Sequence, residues 1–303
     1  MTSHKPATPL IAGVACYLIW GFVPLVFQAM DRLGMGSWEI LAHRSIWGAP
    51  TALLFVVMAG QLPQVRAVFR NPRLFAGLGL SALLIGSNWA LYVWAVNSGR
   101  VLETSLGYYL TPLLNMAAGV VFFRERLDRI ALAAMVLAAI GVAVQAVAVG
   151  HLPWVSLFLA VSFGGYGIVR KQITADAQTG LFIECLILAV PGLAYALWLP
   201  NSGGGHFGLT PTDTVWLLAA GPITAIPLVL FSWAARRIPL STIGFLQFIG
   251  PTIGFGIGVS EGEAFTPLRA LSFVFIWGGA AVYAFGAWIR MRRLMPVPDV
   301  SEG

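Results

Sequence analysis

Long hydrophobic stretches dominate the chain, and short polar or proline- and glycine-containing segments separate them. A bilayer core about 30 Å thick is crossed by a helix of about 20 apolar residues. The stretches do not alternate between apolar and polar positions as barrel strands do, and lipid offers no partner for unpaired backbone groups. The pattern predicts an all-α polytopic membrane protein with ten transmembrane helices, at residues 9–30, 38–59, 74–97, 102–122, 128–149, 153–170, 179–199, 213–234, 241–260 and 267–289.

The composition also indicates a chain that is embedded in lipid. Of its 303 residues, 58% are hydrophobic and 10% are charged, whereas roughly 25% of an ordinary soluble domain is charged. The net charge of +6 does not indicate a nucleic-acid partner, because the basic residues lie in short segments between apolar stretches. The first apolar stretch is too long for the core of a signal peptide, so we expect it to remain as the first helix.

The basic residues predict the orientation of the helices. If the amino terminus is inside, fourteen of the eighteen lysines and arginines lie in cytoplasmic segments. Arg32, Arg100 and Arg269 then lie outside. Because basic residues accumulate on the cytoplasmic side of membrane proteins, this distribution predicts a bacterial-type inner membrane protein with both termini in the cytoplasm.

A spacing in the first half of the chain recurs in the second. In each half a tryptophan precedes a proline by eighteen residues, and these pairs are Trp94 with Pro112 and Trp233 with Pro251. Each half holds five predicted helices, an odd number, so the second half enters the membrane inverted. The pattern predicts two inverted five-helix repeats, at residues 1–150 and 151–303, which is a transporter architecture with a site near the midplane.

Six short motifs spread over most of the chain carry a family resemblance. They are YLIWG at residues 17–21, EILAHR at 39–44, NWALYVWAVN at 88–97, ETSLGYY at 103–109, VRK at 169–171 and QTG at 178–180. Together they resemble the RarD/YddG-like members of the EamA family, in the drug/metabolite transporter superfamily. The resemblance implies a ten-helix, two-repeat carrier that exports amino acids or related metabolites.

Ionisable residues inside predicted helices are the first candidates for a binding site, because a charge at the middle of a membrane helix costs at least about 2.5–3.5 kcal/mol. His43 and Arg44 lie in the second predicted helix, and Glu184 has the corresponding place in the seventh. One interpretation is that they face each other across a cavity. The alternative is that Arg44 reaches the outer headgroups while Glu184 lies near the inner interface.

Polar and aromatic residues in the third, fourth and ninth predicted helices are further candidates for substrate binding. Asn88 and Tyr92 share one helix face, which either lines a pore or forms hydrogen bonds to a neighbouring helix. The fourth and ninth helices correspond to each other in the repeat, and their candidates are Tyr108, Tyr109 and Gln247.

Two pairs of residues are candidates for moving parts. Pro112 and Pro251 are predicted hinges, because a proline frees a backbone carbonyl one turn earlier; the alternative is a packing kink. Trp20 and Tyr166 occupy comparable places in the two halves, and each is followed by a glycine. They are either gate residues or ordinary packing and interfacial aromatic residues.

These observations favour an alternating-access carrier for small-molecule substrates, amino acids above all. The rival hypotheses are a membrane-embedded enzyme that uses His43, an exporter of drug-like compounds, and a passive channel. The sequence has no metal-spaced histidine cluster, nucleotide loop or Ser/His/Asp set to accompany His43. We therefore expect no enzymatic activity, no cofactor, no metal and no nucleic-acid partner.

Overall fold

The computed structural model describes residues 7–123, 129–150, 152–235, 237 and 246–294. Its regular secondary structure in these ranges is helical, which confirms the all-α prediction. The eleven α-helices there are α1 Ala7–Arg32, α2 Ser37–Met58, α3 Leu62–Arg70, α4 Pro72–Asn97, α5 Val101–Phe123, α6 Arg129–Val149, α7 Trp154–Gln172, α8 Ala177–Trp198, α9 Pro211–Ala235, α10 Ile249–Ser260 and α11 Pro267–Leu294.

Six helical segments of the described residues are long and apolar enough to cross a bilayer, one of them α8 together with the 3-10 turn Leu199–Ser202 that follows it, so the protein is a polytopic membrane protein. The segments are Thr8–Arg32, Ser37–Met58, Pro72–Asn97, Ala177–Ser202, Pro211–Phe231 and Pro267–Gly286. Shorter apolar segments are Leu132–Ala148, Trp154–Arg170 and Ile249–Ser260. Part of the ninth predicted span, residues 241–245, lies outside the described residues, and the total of ten spans stays a prediction.

The short helix α3 was missed by the hydropathy pattern. Its nine residues are too few to span a bilayer, and its two faces differ in character. Val65 and Val68 are buried, while Arg66 and Arg70 are exposed. A search for long apolar stretches cannot detect such an amphipathic helix, because its hydrophobic residues recur with the helical period and are not consecutive.

The helices of the two halves pack in a symmetric arrangement. α2 packs along α8, and α6 packs along α11. α1 contacts α9 and α10, just as α7 contacts α4 and α5. These contacts map onto one another when each helix is exchanged with its counterpart in the other half: α1 with α7, α2 with α8, α4 with α9, α5 with α10 and α6 with α11. This pattern is the one expected of two repeats, although the boundary at residues 150 and 151 stays a prediction.

A carboxylate from the second half of the chain binds the first turn of α5. Glu263 accepts hydrogen bonds from the backbone N–H of Val101 at 2.5 Å and of Leu102 at 3.1 Å. A helix N-terminus favours negative charge, because its first N–H groups have no partner within the helix. Burial nevertheless raises the pKa of Glu263 above its ordinary value, against the effect of these two hydrogen bonds. The contact anchors α5 to the segment between α10 and α11.

Glycines allow the backbone of α2 to approach two other helices closely. A Cβ atom at Gly221 of α9 would overlap the backbone of Trp47 in α2. One at Gly192 of α8 would lie 3.1 Å from the carbonyl oxygen of Ala42. Small residues at such crossings let membrane helices pack by direct backbone contact. The helix that carries His43 is therefore held tightly between α8 and α9.

We expect Gly221→Ala to destabilise the protein by about 1–3 kcal/mol, the range typical of an overpacked contact. Gly79→Ala in α4 is the matched control, because a Cβ atom there has no neighbour within 4 Å. Alanine favours a helix over glycine by up to about 1 kcal/mol, so the control variant should be at least as stable as the wild type. Thermal unfolding midpoints in detergent measure both effects. An unchanged midpoint for Gly221→Ala would contradict the close contact of α2 with α9.

Candidate functional site

Arg44 is a buried cation on α2. It lies seven residues after Ser37, the first residue of the helix, which is about 10 Å along the axis at 1.5 Å per residue. Only 7% of its surface is exposed. Its Nε donates a 2.7 Å hydrogen bond to Oγ1 of Thr224 in α9. The side chain therefore turns into the helix bundle.

Aromatic rings surround the guanidinium of Arg44. Its Cζ lies 4.2 Å from the ring centroid of Trp89 and 5.5 Å from that of Phe27. A cation is attracted to the negative face of an aromatic ring. Tyr92 and Tyr108 also lie near enough to interact with it electrostatically. Five helices supply this set, which we call the Arg44 cluster: Phe27, Arg44, Trp89, Tyr92, Tyr108 and Thr224.

The positive charge of Arg44 has no carboxylate partner among the residues that the structure describes. The ion pairs found there join acidic side chains to Arg32, Arg100, Arg170 and His206. The Nη1 atom of Arg44 is buried, and within the same ranges it makes no hydrogen bond. A guanidinium stays charged and has five N–H donors, and a buried charge is costly unless it is paired. The cluster therefore offers unused donors and an unbalanced positive charge.

Glu184 belongs to a second buried polar cluster. It is 1% exposed, and it accepts hydrogen bonds from Ser81 at 2.5 Å and from the hydroxyl of Tyr166 at 3.3 Å. The Nε of Arg170 lies 3.6 Å from Oε1 of Glu184. The structure thus gives Glu184 a counter-ion other than Arg44. We call Ser81, Tyr166, Arg170 and Glu184 the Glu184 cluster.

The packing of α2 against α8 explains why Arg44 and Glu184 do not pair. Gly192 of α8 meets Ala42 of α2, and Gly48 of α2 meets Cys185 of α8, so the helices run antiparallel. Each charge lies seven residues into its own helix. Antiparallel packing therefore places the two charges at different levels along the shared interface.

A row of aromatic rings connects the two clusters. Successive ring centroids are 5.6 to 6.2 Å apart, within the range of favourable aromatic pairs. The last ring belongs to Tyr166, whose hydroxyl reaches Glu184. This aromatic row consists of Phe27, Tyr92, Tyr108, Phe163 and Tyr166.

Asn88 links three helices by hydrogen bonds. Its side-chain nitrogen donates to the carbonyl of Leu159 at 3.0 Å and to Oγ of Ser162 at 2.9 Å, both on α7. Its side-chain oxygen accepts a 3.1 Å hydrogen bond from the hydroxyl of Tyr108 on α5. Both amide N–H groups have protein partners, which favours the interhelical interpretation. Through its oxygen, Asn88 orients Tyr108 within the aromatic row.

His43 faces the segment between α8 and α9. Its Nδ1 accepts a 3.1 Å hydrogen bond from the indole of Trp47, and its ring stacks on Phe207 at 5.1 Å. The preceding residue of that segment, His206, binds Glu39 through its backbone N–H and its ring, at 2.6 and 2.8 Å. His43 is thus next to Arg44 in the sequence but packs in a different environment.

Two predicted site residues lie apart from the Arg44 cluster. Tyr109 faces α10 and α11: its hydroxyl is 2.6 Å from Oγ1 of Thr252, and its ring stacks on Phe248 at 6.1 Å. Trp20 packs against Phe231 of α9, with ring centroids 6.1 Å apart. Their side chains belong to helix-to-helix contacts, and a role in transport stays a prediction.

The predicted hinges lie in two different settings. The backbone of α5 is helical through Pro112, whose side chain is outside the described part of the chain. Pro251 is buried in the first turn of α10, where a backbone N–H would have no partner within the helix. Gln247 is half-buried in the turn that precedes this helix. Hinge motion at either proline stays a prediction.

Three members of the Arg44 cluster were not among the residues predicted from the sequence. Trp89 directly follows Asn88 in α4. Thr224 and Phe27 lie in apolar helices without a motif to distinguish them. The signal that identifies all three is their distance to Arg44, which depends on how the helices pack.

Comparison with known proteins assigns the family. Residues 7–146 match the EamA-like transporter family. A protein of Pseudomonas aeruginosa named as an uncharacterized transporter is 41% identical over 94% of this chain and 95% of its own length. Protein RarD of Escherichia coli is 38% identical over 97% of this chain and 99% of its own. One solved crystal structure has the same fold, with a TM-score of 0.61 at 19% identity over 96% of this chain and 99% of that one. The chain therefore belongs to the EamA-like transporter family, as a RarD-like membrane transporter of the drug/metabolite superfamily.

Proposed function

We propose that this transporter is an alternating-access carrier that exports amino acids or related small metabolites across the bacterial inner membrane. The Arg44 cluster is its carboxylate-binding site. The observation that carries the proposal is the buried guanidinium, which has an unused nitrogen and no carboxylate partner in the described ranges. A substrate carboxylate supplies both the missing negative charge and two acceptor oxygens that match the guanidinium fork.

The aromatic row suits the remainder of such a substrate. Ligand sites are mostly apolar, with a few polar groups that fix the orientation of the ligand. The rings of Tyr92, Tyr108 and Phe163 supply apolar contact area beside the guanidinium, so side chains of different sizes can be accommodated. A phosphorylated sugar fits less well, because a dianion calls for several cations and Arg44 supplies one positive charge.

The arrangement of the helices supports alternating access. The Arg44 cluster joins α1, α2, α4 and α5 of the first half to α9 of the second, so motion between the halves would open or close it. In inverted-repeat transporters one part rocks against the other around a central site. Tyr166, where the aromatic row meets Glu184, is suited to gating the far end of the path. Pro112 and Pro251 are the proposed hinges.

Two rival functions have weaker support. The hydrogen bond of His43 with Trp47 and its stacking on Phe207 are packing contacts, and the Pseudomonas aeruginosa relative is named as a transporter. A membrane enzyme based on His43 is therefore disfavoured. Export of drug-like compounds would also use the aromatic row. This function does not explain why a buried arginine has no carboxylate partner in the described ranges.

Arg44→Gln should reduce substrate export at least tenfold. The variant removes a hydrogen bond to a charged group, which contributes about 1.5–3 kcal/mol, and each 1.4 kcal/mol is a factor of ten. Arg44→Lys should retain part of the activity, because it keeps the charge but loses the fork. The control is Arg66→Gln on the exposed face of α3, which should transport normally.

The measurement uses liposomes loaded with amino acids, other carboxylates, sugar phosphates and drug-like compounds, with mass spectrometry of the released molecules. Size-exclusion chromatography establishes that each variant is folded. Undiminished export by folded Arg44→Gln would remove Arg44 from the site. Release of sugar phosphates or drug-like compounds alone would overturn the substrate assignment but leave the carrier proposal intact.

The proposed topology has both termini inside and the segment between α8 and α9 outside, because basic residues concentrate in the predicted cytoplasmic segments. A reporter active only in the periplasm should work when inserted within residues 202–205 and fail after residue 303. A reporter that fluoresces only in the cytoplasm should give the opposite result and serves as the control. Periplasmic activity after residue 303 would rule out this topology.

A further inference from the structure

We infer that the Arg44 cluster selects carboxylates that carry a net charge of −1 over zwitterions of the same shape. The inference rests on the proposed carrier function and, among its proposed substrates, favours the related metabolites over the amino acids themselves. It follows from which hydrogen-bonding groups around Arg44 are free and which are already used.

The electrostatic surroundings of Arg44 leave the site with one positive charge. The ionisable side chains that interact with the guanidinium are Tyr92, Tyr108 and Cys185, and phenols and thiols are neutral near pH 7. No acidic side chain in the described ranges pairs with Arg44. A bound monocarboxylate brings the charge of the site to zero. A zwitterion brings no net charge and leaves the buried positive charge unbalanced.

Two of the acceptor atoms that could receive an ammonium group already accept a hydrogen bond. Thr224 accepts a hydrogen bond from Arg44 and donates its own proton to the carbonyl of Ala220 at 2.9 Å. The side-chain oxygen of Asn88 accepts from Tyr108. The other side-chain oxygens near Arg44 are the neutral hydroxyls of Tyr92 and Tyr108. Among the described residues the cluster therefore offers a carboxylate a charged donor and offers an ammonium group only neutral acceptors.

Two aromatic faces and one buried carboxylate of this region are also engaged by arginine side chains. The faces of Trp89 and Phe27 already contact the guanidinium. The buried carboxylate of Glu184 is paired with Arg170 at the other end of the aromatic row. An ammonium group beside Arg44 would thus face a like charge at low dielectric, without a free carboxylate of the described residues to offset the repulsion.

These features define a substrate class. It consists of monocarboxylates with an apolar or aromatic body in which the amino group of an amino acid is absent, replaced or acylated. 2-Oxo acids, 2-hydroxy acids and N-acyl amino acids meet this description. Compared with the parent amino acid, each keeps the carboxylate for Arg44 and lacks the ammonium group that would lie near its positive charge.

A series of ligands with one ring and different charges tests the inference. The series is 3-phenylpropionate, a monoanion; phenylalanine, a zwitterion; N-acetylphenylalanine, a monoanion built on the same amino acid; and 2-phenylethylamine, a cation. Binding to the purified full-length chain is measured by calorimetry at pH 7, and transport is measured in liposomes. We expect 3-phenylpropionate and N-acetylphenylalanine to bind at least tenfold more tightly than phenylalanine, and the cation to bind least.

Variants of Arg44 show whether this preference arises at the proposed site. In Arg44→Gln the ratio between 3-phenylpropionate and phenylalanine should fall close to one, whereas in Arg44→Lys it should persist because the charge is kept. If Arg44→Gln does not fold, Arg44→Lys and the ligand series on the wild type still decide the question. A ratio in folded Arg44→Gln equal to that of the wild type would overturn the assignment to Arg44.

The outcomes separate this inference from the proposed function. Phenylalanine that binds as tightly as 3-phenylpropionate, with both compounds transported, would overturn the charge preference and leave the carrier standing. If neither this series nor the loaded mixture described above is transported by folded protein, the carrier proposal itself fails.

Discussion

Burying the positive charge of Arg44 inside the helix bundle costs free energy, and this cost constrains the rest of the site. A guanidinium does not lose its charge on burial, so its surroundings must stabilise it. Here the hydroxyl of Thr224 and the faces of Trp89 and Phe27 do so. These groups come from α9, α4 and α1, which meet around Arg44. The close contact of α9 with α2 at Gly221 is part of the geometry that brings them together.

Arg44 and Glu184 occupy corresponding places in the two halves, but their charges differ in availability. Glu184 pairs with Arg170 and accepts a hydrogen bond from Ser81, while Arg44 keeps unused hydrogen-bonding capacity. Similar backbone positions thus have opposite electrostatic roles, because the neighbouring side chains differ. Of the two charged side chains at the ends of the aromatic row, Arg44 is therefore available to bind an anion, whereas Glu184 is already paired.

The helices could be predicted from the sequence because membrane spanning is a local property. About 20 consecutive apolar residues define a helix without reference to the rest of the chain. The predicted spans 38–59 and 74–97 differ from α2 and α4 by at most two residues at each end. The hydropathy pattern did not detect α3, because the hydrophobic residues of this helix recur with the helical period and are not consecutive.

The sequence alone determined that the protein is helical and lies in a membrane, and that Arg44, Glu184, Tyr92 and Tyr108 belong to its apolar segments. Only the tertiary structure decided which of them meet. Thr224, the hydrogen-bond partner of Arg44, is 180 positions away along the chain, and no local pattern specifies a contact at that separation. The antiparallel packing of α2 on α8 places Arg44 and Glu184 at different levels, although their corresponding positions in the two halves allowed the interpretation that they face each other. Helix formation depends on neighbouring residues, whereas the partner of a buried charge depends on how distant helices cross.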